Sequence, residues 1–462
     1  MKNNHQRKQQ QYSDVATENS DTDNQNRNIG TQPDNQPGRL FTRVTRLDRW
    51  LTRKMVEVVG NPPVRISLWD GVEVTPPCKN PVGVMVYRDR GALLKTIADP
   101  ELHWGDLYSS GRVDFKGNLS EFMAKIYRGI YGRGKGSWLR QLILWIGHRR
   151  IFNSFDKAKQ NIHHHYDIGN DFYKLWLDSE EMQYTCAYFP YEGMTLEQAQ
   201  VAKLHHICRK LDLKPGDTVV EAGCGWGGLA RFMAKHYDVK VTAYNISREQ
   251  IKYAKQRALY EGLADKVEYV LEDYRNIEGK FDVFVSVGML EHVAKRDYQE
   301  LGEVIKRCLK PQGRGLIHCI GRIISGPMNA WIERRIFPGA CPPTLSEMMD
   351  IFEPNELTIL DVENIRLHYS KTLQEWTKRY EDNKQTIIDL MDEEFYKAWK
   401  LYLHGSTAAF NVGELQLFQA TFSHTENNAV PWSREYMYPA NKVEQQQVSA
   451  VTDHHIDVAE VD

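Results

Sequence analysis

At 462 residues the chain exceeds the roughly 100–200 residues of an ordinary domain, so two or three folding units are expected. Its 59 Lys+Arg against 61 Asp+Glu give a formal charge of −2, which excludes whole-molecule attraction to nucleic acid and leaves only local basic patches. Hydrophobic residues make up 41 %, enough for a large core, yet the longest apolar run, LILWI at 142–146, is too short to span a bilayer. Seven cysteines, at 78, 186, 208, 224, 308, 319 and 341, are odd in number and form no CxxC pair, which argues for a reducing compartment and against a disulfide framework or structural zinc. The opening MKNNHQRKQQ lacks the apolar run of a secretory signal, and a cytoplasmic protein is expected.

Residues 1–38 hold almost only Asn, Gln, Asp, Ser, Thr and Lys; ordering them would cost entropy with no burial to offset it, so a disordered tail is expected. In RLFTRVTRLDRWLTRK, residues 39–54, Leu40, Val44, Leu47 and Leu51 recur at helical spacing among Arg39, Arg43, Arg46, Arg49, Arg53 and Lys54, opposed only by Asp48. Such a helix lies in the headgroup layer of an anionic membrane with Trp50 at the interface, or docks its leucines on its own domain; the sequence leaves both open. From Pro63 to Tyr131 short β-rich runs, VRISLW and VGVMVY, give way to helical pattern, predicting a lipid- or membrane-associated α+β domain over 39–147. YGRGKGSWLRQLILWIGHRR, 131–150, reads as a Gly-rich linker plus another basic amphipathic helix.

Beyond residue 200, strand and helix alternate: DTVVEAGC, a helix over 228–236, VKVTAYNI, a helix over 248–260, VEYVLED, FDVFVSV, a helix over 298–309, and GLIHCIG. Repeated βα units of this length predict an α/β fold with a doubly wound parallel sheet. The catalytic domain is set at 148–424, with a mostly helical, aromatic cover over 322–424 and a polar tail over 425–462.

The first strand of that series runs into Gly223-Cys224-Gly225-Trp226-Gly227-Gly228 and then a helix. Read as GxGxxG, the loop cradles a dinucleotide pyrophosphate; read as ExGxGxG from Glu221 to Gly227, it matches the S-adenosylmethionine (SAM) loop of class I methyltransferases. A nicotinamide site normally carries an acid at the end of the second strand, where this chain has Tyr244-Asn245-Ile246. The third strand ends in Glu272-Asp273-Tyr274, an acid and an aromatic ring suited to the amine and face of adenine. The balance favours SAM, with a ligand-free glycine turn as the other reading.

HYDIGNDFYKLWLD (165–178), YTCAYF (184–189), EAGCGWGG (221–228), SVGMLEHV (286–293), LIHCIG (316–321), and IFPGACPP with HYSKTLQEW together resemble the cyclopropane-fatty-acyl-phospholipid synthase family, over about 60–425. The resemblance implies a Rossmann-like class I methyltransferase that transfers a methylene group from SAM to the cis double bond of phospholipid acyl chains. It also implies a bound bicarbonate as general base. The chemistry is coherent: an alkene is a weak nucleophile that needs a sulfonium methyl held in line in a dry pocket, and ring closure needs a base beside the new methyl.

Carried over residue by residue, the ion site falls on Cys186, Glu291, His318, Tyr369 and the backbone of Ile320. Each has a plainer reading: Cys186 a small buried apolar group, His318 a core histidine, Tyr369 a packing residue, Glu291 a first-turn charge on a helix. SAM contacts correspond to Tyr184, Thr185, Glu221, Gly223, Gly225, Gly227, Asn245, Gln250, Asp273, Tyr274 and Arg275. Asn245 stands where the family commonly has Thr, and Glu221 where it has Asp; both keep hydrogen-bonding ability. His163-His164-His165 cannot all face one ion from a helix or strand, so no metal site is expected.

The implied partner is unsaturated phospholipid at a membrane surface, met by a cytoplasmic, peripherally associated protein; a homodimer is left open. Two further outcomes stay open. The same chemistry diverted by a hydride shift gives methyl-branched or methylene chains, and related enzymes methylate the nitrogen of small amines. A lipid-binding protein without chemistry is the reading from a different class.

Overall fold

The computed structural model describes residues 43–74, 80–131 and 169–438, all within one compact unit. The 1–38 tail, Leu40, the linker from residue 132 on, His163, His164, His165 and the tail beyond 438 lie outside the described residues.

The basic helix begins later than its spacing suggests. It spans Arg46–Val58, started by a capping box in which Thr45 Oγ1 accepts from Asp48 N and Asp48 accepts from Thr45 N at 2.8 Å. Asp48 is itself buried and takes the Arg90 guanidinium at 2.6 Å. Its docked face is therefore Asp48, Thr52 and Val56, while Leu47 and Trp50 are 61 % and 54 % exposed. Of the two readings the spacing left open, full docking of the leucine stripe does not hold for Leu47: the buried cap and ion pair turn the helix so that Leu47 points to solvent.

Three strands follow, β1 (Val64–Ser67), β2 (Gly83–Tyr87) and β3 (Val113–Gly117), in the order β1-β2-β3. Val64, Ile66, Met85 and Tyr87 alternate inward toward the helices Pro100–Ser109 and Leu119–Tyr131. The runs read as strands in the sequence are strands in the fold.

The large sheet comprises β4 (Thr218–Ala222), β5 (Lys240–Asn245), β6 (Val267–Leu271), β7 (Phe281–Val287), β8 (Leu309–Arg322), β9 (Leu357–Asn364) and β10 (Leu415–His424), ordered β6-β5-β4-β7-β8-β10-β9. The first five are parallel; β10 is antiparallel to both neighbours. Both faces are buried: Val219, Val241 and Val283 meet the helices Leu196–Lys210, Gly228–Tyr237 and Arg248–Tyr260, and Val220, Ala222 and Phe284 meet Tyr298–Cys308 and Leu345–Phe352. Continuous Val-rich runs are what such two-sided burial demands.

The segment after Arg322 departs from the helical expectation by supplying β9 and β10. Nearly all of β10 is buried on both faces, so its LQLFQATFSH shows no polar alternation from which a strand is read. The helices Arg366–Asp382, Lys384–Leu390 and Glu393–Val412 make up the helical part of this segment, and the last packs on the two helices of the N-terminal layer.

Asp106 ties that layer to the cover, accepting from Trp331 Nε1 at 3.1 Å and from Arg335 at 3.0 and 2.9 Å. Beside it, a Cβ on Gly105 would lie 2.4 Å from the buried Trp331 ring. Gly105→Ala, favourable by helix propensity alone, is therefore expected to lower stability by about 1–3 kcal/mol in urea unfolding, with earlier proteolysis between the N-terminal layer and the cover.

Candidate active site

The strand order reverses between β4 and β7: the chain runs outward through β5 and β6, then returns to β7 on the other side of β4. Loops leaving the carboxyl ends of such a pair diverge and open a crevice. A first cavity of about 1250 Å³, its open mouth included, lies there, lined by the loop after β4, by Asn245 at the end of β5, by Asp273, Tyr274 and Arg275 after β6, and by Gly288 and His292 after β7.

The glycines of the β4 loop have separate tasks. Gly223 and Gly227 adopt φ of +82° and +77°; an added Cβ would come within 2.9 Å of Met289 Cβ at the first and 2.4 Å of Tyr269 Oη at the second. Gly225, at φ +53°, would meet no protein atom within 4 Å and lines the cavity with its backbone. Gly227 is not among the residues lining the cavity: it precedes the helix Gly228–Tyr237 and its carbonyl accepts from Tyr269 Oη at 2.9 Å, which packs the loop against β6.

Around the loop, Asn245 Nδ2 donates to Gly225 O at 3.2 Å and to the buried Gln250 Oε1 at 2.8 Å. Asp273 accepts from Arg275 N at 3.0 Å, and the Arg275 guanidinium pairs with Asp273, Asp297 and Glu300 while lying 4.8 Å from the Tyr274 ring centre. Glu221 is buried, its Oε2 has no partner among the described residues, and burial pushes its carboxyl up to about 8 against the pull of Lys203. A carboxyl oxygen without a partner among the described residues and an uncovered glycine backbone fit SAM, which carries cationic groups and an adenosine.

A second cavity, about 2160 Å³ with its openings, is mostly apolar. Cys186, Glu291, His318, Ile320 and Tyr369 all line it, and it shares Tyr184, Thr185, Gly288 and His292 with the first. From that junction it extends along Phe410 and Gly405 of the cover to Phe122, Met85 and Ile66 of the N-terminal layer.

Glu291 sits in the turn after β7, held by Cys341 N donating to its carbonyl at 2.7 Å. Its Oε1 accepts from Ile320 N at 2.5 Å, which commits the Ile320 amide to Glu291; Oε2 has no partner among the described residues. Burial pushes this carboxyl up to about 7, opposed by the Ile320 amide. His318 is 1 % exposed and burial holds it well below the usual histidine range, so its ring is neutral; Nε2 is unpartnered among the described residues. The buried Cys186 thiol donates to Ala187 O at 3.1 Å and burial raises it far above the usual thiol range, making it a neutral donor rather than a nucleophile. Tyr369 packs its ring 4.6 Å from Phe410 and edge-on to Trp376.

Several residues here were not read from the sequence. Lys203, fully buried on the helix Leu196–Lys210, donates to Thr185 Oγ1 at 3.0 Å and to Gln183 Oε1, while Gln200 donates to Thr185 O at 3.0 Å. Together they fix from behind the turn that presents Tyr184, Thr185 and Cys186. Burial lowers Lys203 to about 8, with Asp178 opposing. The available signal was that Gln200 and Lys203 occupy the same helical phase as Leu196 and Ile207. Tyr402, whose hydroxyl lies 3.1 Å from that of Tyr184, and His292, lowered by burial to about 4, carried no such signal.

Comparison with known proteins agrees with this geometry. The sequence model of the mycolic acid cyclopropane synthetase family matches residues 153–420. A probable fatty acid methyltransferase of Pseudomonas putida is 34 % identical over 388 residues, 81 % of this chain and 96 % of its own. The cyclopropane-fatty-acyl-phospholipid synthase of Escherichia coli K12 is 40 % identical over 294 residues, 63 % of this chain and 75 % of its own. Among solved structures, the mycolic acid cyclopropane synthase CmaA1 complexed with SAH and CTAB superposes with a TM-score of 0.55 at 30 % identity, covering 57 % of this chain and 97 % of that one. With the glycine-loop crevice at the strand reversal and a family match over more than half its length, the chain belongs to the mycolic acid cyclopropane synthetase family and is a SAM-dependent methyltransferase.

Proposed function

We propose that the enzyme adds a methylene group to the cis double bond of an unsaturated phospholipid acyl chain, forming a cyclopropane ring. The observation that carries this reading is the junction of the two cavities: a crevice edged by the glycine loop opens at Thr185, Gly288 and His292 onto a larger, mostly apolar slot of the kind an acyl chain requires. The names of the relatives, a phospholipid cyclopropane synthase among them, support the same substrate class.

SAM, held by Gly223, Gly225, Asn245, Gln250, Glu221 and Tyr274, supplies an electrophilic methyl group. The alkene π pair forms a bond to that carbon, the carbon–sulfur pair stays with sulfur, and the other alkene carbon becomes cationic. Tyr184, Tyr369, Tyr402 and Phe410 line the slot and offer aromatic faces to that cation. Loss of a proton from the new methyl leaves the pair that closes the ring. Glu291 Oε2 and His318 Nε2 are one acceptor and one ring nitrogen without protein partners in the same cavity, a set that fits a small hydrogen-bearing oxyanion such as bicarbonate, which would supply the base. Glu291, as carboxylate, accepts the proton onward, and Cys186 and the buried surroundings keep water out.

The exposed Leu47 and Trp50 on a helix bearing Arg46, Arg49, Arg53 and Lys54 support docking on an anionic bilayer by this peripheral, cytoplasmic enzyme. No helix of the described residues is long and apolar enough to cross a membrane. Similarity to a fatty acid methyltransferase over most of the chain favours one second reading, in which a hydride shift precedes proton loss and a methyl-branched or methylene chain results.

Incubation of the purified protein with SAM, bicarbonate and vesicles of unsaturated phospholipid separates the readings. High-field ring protons in the recovered lipid are expected; a methyl or methylene signal instead moves the assignment to the branching reaction, and unchanged lipid rejects both.

Glu291→Gln is expected to keep SAH affinity by calorimetry while turnover falls about 10²–10⁴-fold. Because the carboxylate form is required and its protonation lies near 7, kcat/KM at fixed bicarbonate is expected to climb as pH rises through about 7, and this limb is lost in the variant. A side chain at Gly405 would project past Tyr127 Oη and Met123 Cε, 3.5 and 3.9 Å from the added Cβ. Gly405→Phe is expected to plug the slot and lower lipid turnover about 100-fold with SAH affinity unchanged.

A further inference from the structure

Three adjacent strands set three polar side chains in one row across the large sheet. His318 of β8 is the register partner of Gln419 of β10, and Gln419 is the partner of Glu363 of β9. Residues directly opposed in antiparallel strands project from the same face, so the row leads from the second cavity toward the β9 edge. At its far end Glu363 accepts from His206 Nε2 at 2.7 Å and forms an ion pair with Lys210 Nζ at 2.6 Å, and both of those partners are buried.

Gln419 at the centre of the row is fully buried, with Nε2 3.0 Å from His318 Nδ1. An amide nitrogen only donates, so Nδ1 must accept, and the neutral ring then carries its proton on Nε2. That nitrogen faces no protein partner among the described residues and belongs to a ring lining the second cavity. The opposite amide orientation would put the proton on Nδ1 and turn an Nε2 lone pair toward the cavity, repelling any oxyanion there.

We propose that Gln419 is a positioning residue: it fixes His318 in the Nε2–H tautomer, so that the ring donates to the oxyanion held beside Glu291. This rests on the proposed anion-binding role of His318, but the tautomer itself does not. At metal sites a residue that orients an imidazole through its second nitrogen controls affinity or activity by about 10–100-fold, and the same orienting effect acts on an anion met by Nε2–H.

The test is histidine ¹⁵N NMR of the full chain, with the His318 signals assigned by their loss in His318→Asn. The wild type is expected to show a bare Nδ1 and a protonated Nε2; in the near-isosteric Gln419→Met, averaging between tautomers is expected. In the same variant the bicarbonate concentration for half-maximal turnover is expected to rise about tenfold, with SAH affinity and thermal midpoint unchanged. A wild-type ring protonated on Nδ1 overturns the proposal whether or not Gln419→Met folds, as does an unchanged tautomer in that variant. A changed tautomer with unaltered bicarbonate dependence overturns its functional half. Wild-type turnover indifferent to bicarbonate, with the Nε2–H tautomer present, instead faults the anion reading and leaves the control of the tautomer standing.

Discussion

The reversal of strand order between β4 and β7 is the constraint on which the rest of the molecule depends. It makes the loop after β4 and the turn after β7 diverge, and it brings a glycine backbone to face Gly288 and His292 across one crevice. Glu291 follows from the same geometry, because the turn that bears it is the continuation of β7. His318 follows too, since β8 lies beside β7 and places His318 in register with Val287. One topological feature thus sets both the cofactor crevice and the polar group beside it.

Burial gives these residues their chemistry. A carboxyl pushed up to about 7, a histidine held neutral and a thiol kept protonated are three consequences of one dry environment. Such a site tolerates few unpaired polar atoms, yet Glu221, Glu291 and His318 each keep one that no described residue satisfies. They line the two joined cavities, as expected of groups whose partners arrive with ligands. The N-terminal layer extends the dry environment, since Ile66, Met85 and Phe122 wall the same slot as His318. The family model matches only from residue 153 on, after that layer.

Much of this was legible in the sequence. The βα alternation and its Val-rich strands gave the parallel sheet, because two-sided burial leaves a compositional mark, and the glycine loop gave the crevice. Separate motif blocks gave the five residues that line the second cavity, though nothing local says that Cys186, His318 and Tyr369 converge. The strand β10 was not legible, because a fully buried strand among helices carries no alternation. Gln419 and Lys203 were missed for a related reason: a polar residue in a core phase reads as a surface residue until its partners, Nδ1 of His318 and Oγ1 of Thr185, are known. Which face of the first helix docks was left open because spacing alone does not report that Asp48 is buried against Arg90.

In the proposed reaction the methyl donor and the acyl chain occupy two cavities joined at Thr185, Gly288 and His292. A crystal structure of the enzyme with SAH and a cis-unsaturated phospholipid tests it most directly. The double bond is expected at that junction, between the sulfur and the wall bearing Glu291 and His318, with the chain running on toward Gly405. An acyl chain lying outside the apolar slot, or a double bond remote from the sulfur, would contradict it.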